Sequence, residues 1–268
     1  MNGPATIDVP PYAGLARVYD RLVGDPAFPT LWSAFRAACA RHGIRFHTAA
    51  DVGCGTGRFL AALRRAVPTA RLYGVDSSPA MLTIARRRLA GTGTVLLGQD
   101  MRGLELPEPV DLLTCNFMTV NYLIDVNNFR SVAKKFHRNI DSGGHLVFDI
   151  LFAGEASTLN SMAVQVIDLP DARGVWTVYC EPSGRGSVVV QRTAFRTGSG
   201  RWRATRETHR QRWWPVASVL HLLRAAGFAV RGMRPLAPDG SDGPRWVQIT
   251  ARKATPPAKP ALGAIPFT

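Results

Sequence analysis

The sequence is poor in cysteine and contains no long apolar stretch. Its four cysteines, at positions 39, 54, 115 and 180, are scattered, with no C-x-x-C pair and no histidines at metal-binding spacing. This pattern indicates a reducing compartment, and we expect no zinc or other metal site. No apolar run reaches the roughly 18 residues that span a bilayer, and the N-terminus lacks the basic-then-apolar layout of a signal peptide. We therefore expect a soluble cytoplasmic protein without a membrane partner.

Acidic residues are scarce as well. The 268 residues include 33 Lys and Arg but only 19 Asp and Glu, which gives a net charge of +14 and an isoelectric point near 10.7. Such an excess permits nucleic acid, anionic lipid or phosphorylated substrates as partners. Most of it is arginine on expected helix faces, as at 64–65 and 86–88, where solvation is the commoner role. Charge alone therefore identifies no partner.

A glycine-rich stretch over residues 51–57, D-V-G-C-G-T-G, separates a short apolar strand from an amphipathic helix. Glycine accepts positive φ and lets a ligand approach the backbone closely, although an ordinary strand-to-helix turn also uses glycine. The dinucleotide-binding pattern G-x-G-x-x-G does not fit in either frame. Starting from Gly53 its third glycine falls on Arg58, and starting from Gly55 it falls on Leu60. A nicotinamide or flavin cofactor is therefore poorly supported.

The pattern D-x-G-x-G-x-G resembles the first motif of the class I S-adenosylmethionine (SAM) dependent methyltransferases, and later segments resemble their other motifs. Asp76 ends the next strand 19 residues after Gly57, near the interval at which a doubly wound fold places a ribose-binding carboxylate. In the family, the methionine of the following S-x-x-M-L pattern packs against adenine, and an acid after the third strand accepts from its amino group. The resemblance implies SAM as the cofactor, S-adenosyl-L-homocysteine as its product, and the following cofactor-binding residues: Asp51, Gly53, Cys54, Gly55, Gly57, Asp76, Ser77, Met81, Asp100, Met101 and Asn116.

The predicted fold is α/β, with a doubly wound Rossmann-like sheet of seven strands formed by residues 46–160 and 213–253. Residues 1–45 are expected to form a helical lid, with the first ten residues loose and the helices broken at 24–26 and 28–29. Between 161 and 212, β-branched and aromatic runs alternate with turn signals, which predicts about four antiparallel strands inserted after strand five. By resemblance this insertion roofs the active site. Residues 254–268 are predicted to be a Pro/Ala-rich tail, extended or loosely held.

The segment from Asn116 to Leu123 lacks the Asn/Asp-Pro-Pro-Tyr/Phe pattern of enzymes that methylate nucleobase amines. It resembles instead the small-molecule N-methyltransferases, including those acting on amino sugars and glycine-type amines. Cys115 lies within a strand and is expected to pack there rather than act as a nucleophile. For Asp149 a purely structural role stays open, and for His209 a surface position. The candidate catalytic or acceptor-binding residues are Tyr19, Asn121, Tyr122, Asp149 and His209.

These features predict N-methylation of an amine on a small molecule in secondary metabolism. SAM already carries an activated methyl group, so the protein mainly has to align the reactants and accept a proton. O- or C-methylation of a natural-product intermediate, RNA methylation through the basic surface, and SAM sensing without catalysis remain alternatives. Arg192 and Arg206 are candidates to meet a substrate phosphate or carboxylate. An anionic or sugar-bearing acceptor and a homodimer are both left open, and no nucleic-acid partner is expected.

Overall fold

The computed structural model of the protein describes residues 6–152, 163–169, 172–180, 186–196, 200, 202–236 and 245–254. The strands are β1 (Thr6–Asp8), β2 (Thr48–Val52), β3 (Arg71–Asp76), β4 (Val95–Gly98), β5 (Val110–Cys115), β6 (Ile140–Phe152), β7 (Ala163–Leu169), β8 (Ala172–Cys180), β9 (Gly186–Arg196), β10 (Trp202–Arg212), β11 (Phe228–Pro235) and β12 (Arg245–Lys253). The α-helices are α1 (Asp25–His42), α2 (Arg58–Ala66), α3 (Pro79–Arg88), α4 (Val126–Arg138) and α5 (Val216–Ala225). Shorter helical turns cover Leu15–Arg17, Asp20–Gly24, Met101–Gly103 and Thr119–Tyr122.

Seven strands form the main sheet in the order β11-β12-β6-β5-β2-β3-β4. The strands from β6 to β4 in this order run parallel, and β12 pairs antiparallel with both β6 and β11. The strand order reverses at β2, which lies between β5 and β3. Open α/β sheets bind ligands at such a switch point, outside the carboxyl ends of the strands. The predicted doubly wound, seven-stranded fold is confirmed, and its topology places the glycine loop after β2 at this edge.

Helices cover both faces of the sheet, which explains why its central strands are continuously apolar. One core cluster includes Phe129 and Phe136 of α4 packed with Trp214, and another includes Phe35 of α1 packed with Phe59 of α2. Cys115 is fully buried in the first cluster, as its position in a strand predicts. Within the part of the chain that the structure describes, no helix combines the length and the apolar character needed to cross a membrane.

The insertion forms a second sheet in the order β1-β10-β9-β8-β7. Its four antiparallel strands β7–β10 confirm the predicted meander. The expectation that residues 1–10 are loose is wrong for Thr6–Asp8, because this segment pairs parallel with β10 as a fifth strand. The N-terminal segment therefore joins the insertion. We propose that the chain divides into four parts, as the sequence suggests: residues 1–45, residues 46–160 with 213–253, residues 161–212, and residues 254–268. Residues 255–268 of the predicted tail lie outside the described residues.

The two helix breaks predicted at residues 24–26 and 28–29 do not occur. Helix α1 begins at Asp25 and continues through Pro26 and Pro29. Proline is tolerated in the first turn of a helix because the N–H groups there have no intrahelical partner, which accounts for Pro26. Pro29 lies inside the helix, and a wide π-type turn at Asp20–Gly24 leads into it. Residues 141–144 form the irregular start of β6, which already pairs with β5 at Ile140.

Glu207 of β10 fastens the N-terminal segment to the second sheet. Its buried carboxylate accepts main-chain N–H groups from Tyr12 (2.6 Å), Gly14 (2.7 Å) and Leu15 (2.7 Å). This contact requires a very close approach, since a Cβ on Gly14 would lie 2.1 Å from the side-chain oxygen of Thr205. We call Glu207 and these three N–H groups the Glu207 latch.

We predict that Gly14→Ala loosens the Glu207 latch, because the added methyl group overlaps Thr205. Overpacking of this kind costs roughly 1–3 kcal/mol, which should appear as a lower urea midpoint and as faster amide hydrogen exchange at residues 12–15. Gly103→Ala is the matched control, since its added Cβ would meet no atom within 4 Å. Equal effects of the two substitutions would contradict the role assigned to the close approach at Gly14.

Candidate functional site

A cleft lies at the carboxyl edge of the main sheet, between the glycine loop and the N-terminal segment. The loop contributes its floor, and aromatic side chains of the N-terminal segment and of the turn after β5 contribute its walls. It is lined by Tyr19, Asp20, Gly24, Asp51, Gly53, Cys54, Gly55, Thr56, Arg58, Phe59 and Phe117. The structure thus brings predicted residues from three distant segments, around positions 19, 51–57 and 117, to one site.

Gly55 is the residue of the glycine loop with free space beside its Cα atom. Its φ is +53°, and a Cβ added there would meet no atom closer than the Met81 sulfur at 4.0 Å. Its neighbours differ, because a Cβ at Gly53 would collide with Thr119 and one at Gly57 with Leu89. Protein packing therefore explains those two glycines, whereas at Gly55 the free space is available to a ligand.

The N-terminal segment is also tied to the glycine loop through Asp20. The hydroxyl of Thr56 donates to one oxygen of Asp20 at 2.7 Å, and Arg88 of α3 forms an ion pair with the other oxygen. Arg88 also donates to the carbonyl and hydroxyl oxygens of Thr56 at 2.8 and 2.7 Å. Next to this group, Asp25 forms an ion pair with Arg58 at the start of α2. These contacts hold the N-terminal segment against the glycine loop at the cleft.

Three carboxylates lie at the cleft or directly beside it, with Asp51 and Asp149 buried and Asp76 half-buried. Desolvation raises the pKa of Asp51 to about 7, although hydrogen bonds from Thr114 and Asn116 oppose the shift. Desolvation likewise raises the pKa of Asp76, whose two oxygens accept from the main-chain N–H groups of Gly55 and Ser78, each at 2.8 Å. The pKa of Asp149 is raised to about 6, again mainly by burial.

These carboxylates define the charge that the cleft favours. The charges of Asp76 and Asp149 raise the pKa of Asp51 further, so each additional negative charge makes the site costlier to ionise. A bound cation would relieve this repulsion. The free space at Gly55, the acids and the aromatic wall therefore fit a positively charged ligand such as the sulfonium of SAM.

Asp149 holds the turn after β5 in a rare conformation. Phe117 and Met118 both have φ of +57°, a region that costs non-glycine residues free energy. One Asp149 oxygen compensates by accepting the Met118 main-chain N–H at 2.8 Å and the indole N–H of Trp246 at 2.6 Å. Among the described residues, the other oxygen is buried and has no hydrogen-bond partner.

His209 is buried, with only 2% of its surface exposed, so the expected surface position is wrong. Its Nδ1 lies 2.7 Å from the hydroxyl of Tyr122, and its Nε2 lies 3.2 Å from Glu207. Tyr122 in turn lies 2.7 Å from the hydroxyl of Tyr12. Tyr12 and Glu207 were missed at the level of sequence. The alternation of β10 could have indicated Glu207, since positions 207 and 209 share a face opposite Arg206 and Arg210.

Asn121 has a structural position, because each of its polar atoms has a main-chain partner. Its side-chain N–H groups donate to the carbonyls of Leu151 (3.0 Å) and Arg212 (2.6 Å), and its oxygen accepts from the N–H of Leu151 (2.9 Å). These bonds join the turn after β5 to β6 and β10. We therefore withdraw Asn121 from the catalytic candidates.

The remaining residues predicted to bind the cofactor differ in burial and in hydrogen-bond partners. Asp100 follows β4 next to Asp76, but both of its oxygens accept from Arg102, which lowers the pKa of Asp100. Met81 is buried and Ser77 is exposed, while the neighbouring Ser78 caps α3 by accepting from the N–H of Met81 at 3.4 Å. Met101 packs against the core, the Cys54 side chain is buried in it, and Asn116 donates to Asp51 at 3.3 Å.

The two arginines considered as anion contacts lie in the second sheet. Arg206 is exposed and forms an ion pair with Asp8 of β1. That pair ties β1 to β10, which gives Arg206 a structural partner instead of a free guanidinium. Arg192 is opposite Arg206 in the β9–β10 register, and its side chain lies outside the described residues.

Comparison with known proteins agrees with this geometry. Residues 49–144 match the family model described as a methyltransferase domain. The chain carries a SAM-dependent methyltransferase domain. The protein is thus an enzyme, and the matched segment contains the glycine loop, Asp76 and the turn after β5. The predicted family resemblance and the predicted cofactor are confirmed.

Relatives of the methyltransferase include enzymes of amino-sugar chemistry. The dTDP-4-amino-2,3,4,6-tetradeoxy-D-glucose N,N-dimethyltransferase of Saccharopolyspora spinosa is 35% identical over 99 residues, which cover 37% of this chain and 38% of that protein. A SAM-dependent methyltransferase from Clostridium acetobutylicum ATCC 824 has a TM-score of 0.77 at 19% identity, covering 91% of this chain and 99% of that one. The sugar N-methyltransferase KedS8 from Streptoalloteichus sp ATCC 53650 has a TM-score of 0.70 at 22% identity, covering 95% and 96%. The two structures show that the fold is shared.

We predict that SAM binds more tightly as the pH rises from about 5 to about 8. A cation favours ionised carboxylates, and the raised pKa values of Asp149 (about 6) and Asp51 (about 7) place their ionisation in this window. Binding should therefore release protons, which calorimetry in buffers of different ionisation enthalpy measures. S-adenosyl-L-homocysteine, which lacks the sulfonium charge, is the matched ligand and should show a smaller pH dependence. Equal pH dependence of the two ligands would contradict this account.

Proposed function

We propose that the methyltransferase N-methylates an amine on a small molecule. In this proposal the glycine loop around Gly55 accommodates the amino-acid end of SAM, Asp51 supplies negative charge near it, and Asp76 accepts from the ribose hydroxyls. The bound cofactor supplies an electrophilic methyl group. Tyr19 and Phe117 form the aromatic wall of the cleft, and their ring centroids are 6.4 Å apart. Aromatic faces attract cations, which suits both the cofactor and a protonated amine.

The unpartnered oxygen of Asp149 carries this proposal. A buried acceptor without a donor is costly, and this one lies beside Phe117 at the end of a strand, where a substrate can supply the missing donor. An ammonium group offers several N–H donors and a positive charge, so it satisfies the carboxylate better than a neutral hydroxyl does. Asp149 would then orient the amine toward the methyl group, which is the alignment that this reaction requires.

The relatives support an amine on a sugar. KedS8 is a sugar N-methyltransferase, and the S. spinosa relative is named for a dTDP-linked amino sugar. We propose the same class of acceptor for this chain. The first candidate is an amine on a sugar, and the second is such an amino sugar that also carries an anionic group. O- or C-methylation of a natural-product intermediate and RNA methylation then become outcomes of the same test.

The test is incubation with SAM labelled in its methyl group and a panel of amino sugars, simple amines, phenols and tRNA, followed by mass spectrometry and NMR of the labelled product. We expect the label on an amine nitrogen. Label on oxygen, on carbon or on tRNA would contradict the proposal, and absence of label from the whole panel would favour a SAM sensor. Any tRNA binding should also weaken steeply with salt if it is a functional partner.

We predict that Asp149→Asn lowers turnover of the amine by roughly 10²-fold or more, because the amide cannot carry the charge that orients an ammonium group. Steady-state kinetics at saturating SAM measures this loss. Calorimetry should show that SAM still binds, but less tightly and with a smaller pH dependence, because the Asp149 charge is lost. Asp141→Asn is the matched control, since Asp141 is on the same strand but exposed at its opposite end. Unchanged turnover in Asp149→Asn, or equal losses in both variants, would remove Asp149 from the site.

A further inference from the structure

Four side chains form a continuous hydrogen-bonded series from the N-terminal segment into the second sheet. The hydroxyls of Tyr12 and Tyr122 are 2.7 Å apart, Tyr122 is 2.7 Å from Nδ1 of His209, and Nε2 of His209 is 3.2 Å from Glu207. The members come from three separate places, namely the segment before α1, the turn after β5 and strand β10. We call this series the tyrosine–histidine chain.

Glu207 gives the tyrosine–histidine chain a direction. A carboxylate only accepts hydrogen bonds, so Nε2 of His209 carries the proton that it donates to Glu207. Nδ1 is then the acceptor for the Tyr122 hydroxyl, and the oxygen of Tyr122 accepts from Tyr12. The oxygen of Tyr12 keeps lone pairs for a further donor. Every link therefore points the same way, from Tyr12 to His209.

The open end of the chain packs against a residue that lines the cleft. The ring of Tyr12 packs edge-on against Tyr19 with centroids 5.9 Å apart, and Tyr19 lines the cleft. Tyr12 has φ of +66°, and the Glu207 latch holds it there by accepting its N–H. Such strain persists where the surroundings enforce it and is common at functional sites. The same carboxylate thus places Tyr12 and orients His209.

The two phenols are suited to pass a proton along rather than to keep it. Burial raises the pKa of Tyr12 to about 12 and the pKa of Tyr122 well above its usual value. Both hydroxyls therefore stay protonated near neutral pH, and each can accept one proton while releasing another. The series continues to the imidazole of His209, whose two ring nitrogens can hold a proton on one side while the other accepts one.

We propose that the tyrosine–histidine chain carries the proton of the acceptor amine away from the cleft to His209. This inference rests on the proposed N-methylation. The protonated amine gives its proton to the Tyr12 oxygen, Tyr12 gives its own to Tyr122, and Tyr122 gives its own to Nδ1 of His209. The amine nitrogen keeps the electron pair of the broken N–H bond and becomes a nucleophile. His209 becomes an imidazolium beside the Glu207 carboxylate. Glu207 is a positioning residue in this scheme.

The test uses Tyr12→Phe, Tyr122→Phe and the double variant, which remove hydroxyls and keep the rings. Each single variant should lower kcat by about 10²-fold or more, in line with general acid–base contributions, while KM for the amine changes little. Because the hydroxyls act in series, the double variant should be no slower than the worse single variant. Tyr73→Phe is the matched control, since its hydroxyl also bonds an acid, Glu108 at 2.6 Å, but lies on β3.

A second measurement keeps the proposal testable if a variant folds poorly. The dependence of wild-type kcat on the fraction of D₂O should be curved, because several protons move together, and Tyr73→Phe should behave like the wild type. Values of kcat for Tyr12→Phe and Tyr122→Phe within about twofold of the control, losses that multiply in the double variant, or no solvent isotope effect would each overturn the proposal. NMR of the product reports independently which atom is methylated, so failure of N-methylation is distinguishable from failure of proton transfer.

Discussion

Buried carboxylates that bind main-chain N–H groups are the interaction on which the site depends. Asp149 holds the turn at Phe117 and Met118, and Glu207 holds the segment at Tyr12. Each of these three held residues has positive φ, a conformation that isolated peptides avoid. The hydrogen bonds to a charged acceptor, which are stronger than neutral ones, offset that cost. The two sheets thereby fix Phe117 and Tyr12, whose rings both pack against Tyr19 of the cleft.

The same burial makes the free site electrostatically unfavourable. Asp51, Asp76 and Asp149 all have raised pKa values because they are removed from water. Raised values mean that ionising these groups destabilises the folded protein as the pH increases from their ordinary range to the raised one. A cationic cofactor reverses this cost. The free energy cost of ionising these carboxylates is therefore recovered only when a positively charged ligand binds, which favours such a ligand over a neutral or anionic one.

A continuous series of contacts joins the N-terminal segment to the second sheet and to the glycine loop. Strand β1 joins the second sheet, the Glu207 latch follows it, and Asp20 then binds the glycine loop through Thr56. One short segment thus connects the second sheet to the glycine loop. This arrangement links the position of Tyr12 to that of the loop.

Local patterns in the sequence determined the main sheet, its order along the chain, the glycine loop and Asp76, because strands buried on both faces and glycine-rich turns are recognisable over a few residues. The same reasoning failed where the partner is distant. Neither the pairing of Thr6–Asp8 with β10 nor the burial of His209 has a local signal, since both depend on residues about 200 positions apart or on another sheet. Asp100 is engaged locally, since both of its oxygens accept from Arg102 two residues away. Only the tertiary structure decided how Asp149 is engaged, because its donors at Met118 and Trp246 come from remote segments, and among the described residues its other oxygen has no partner.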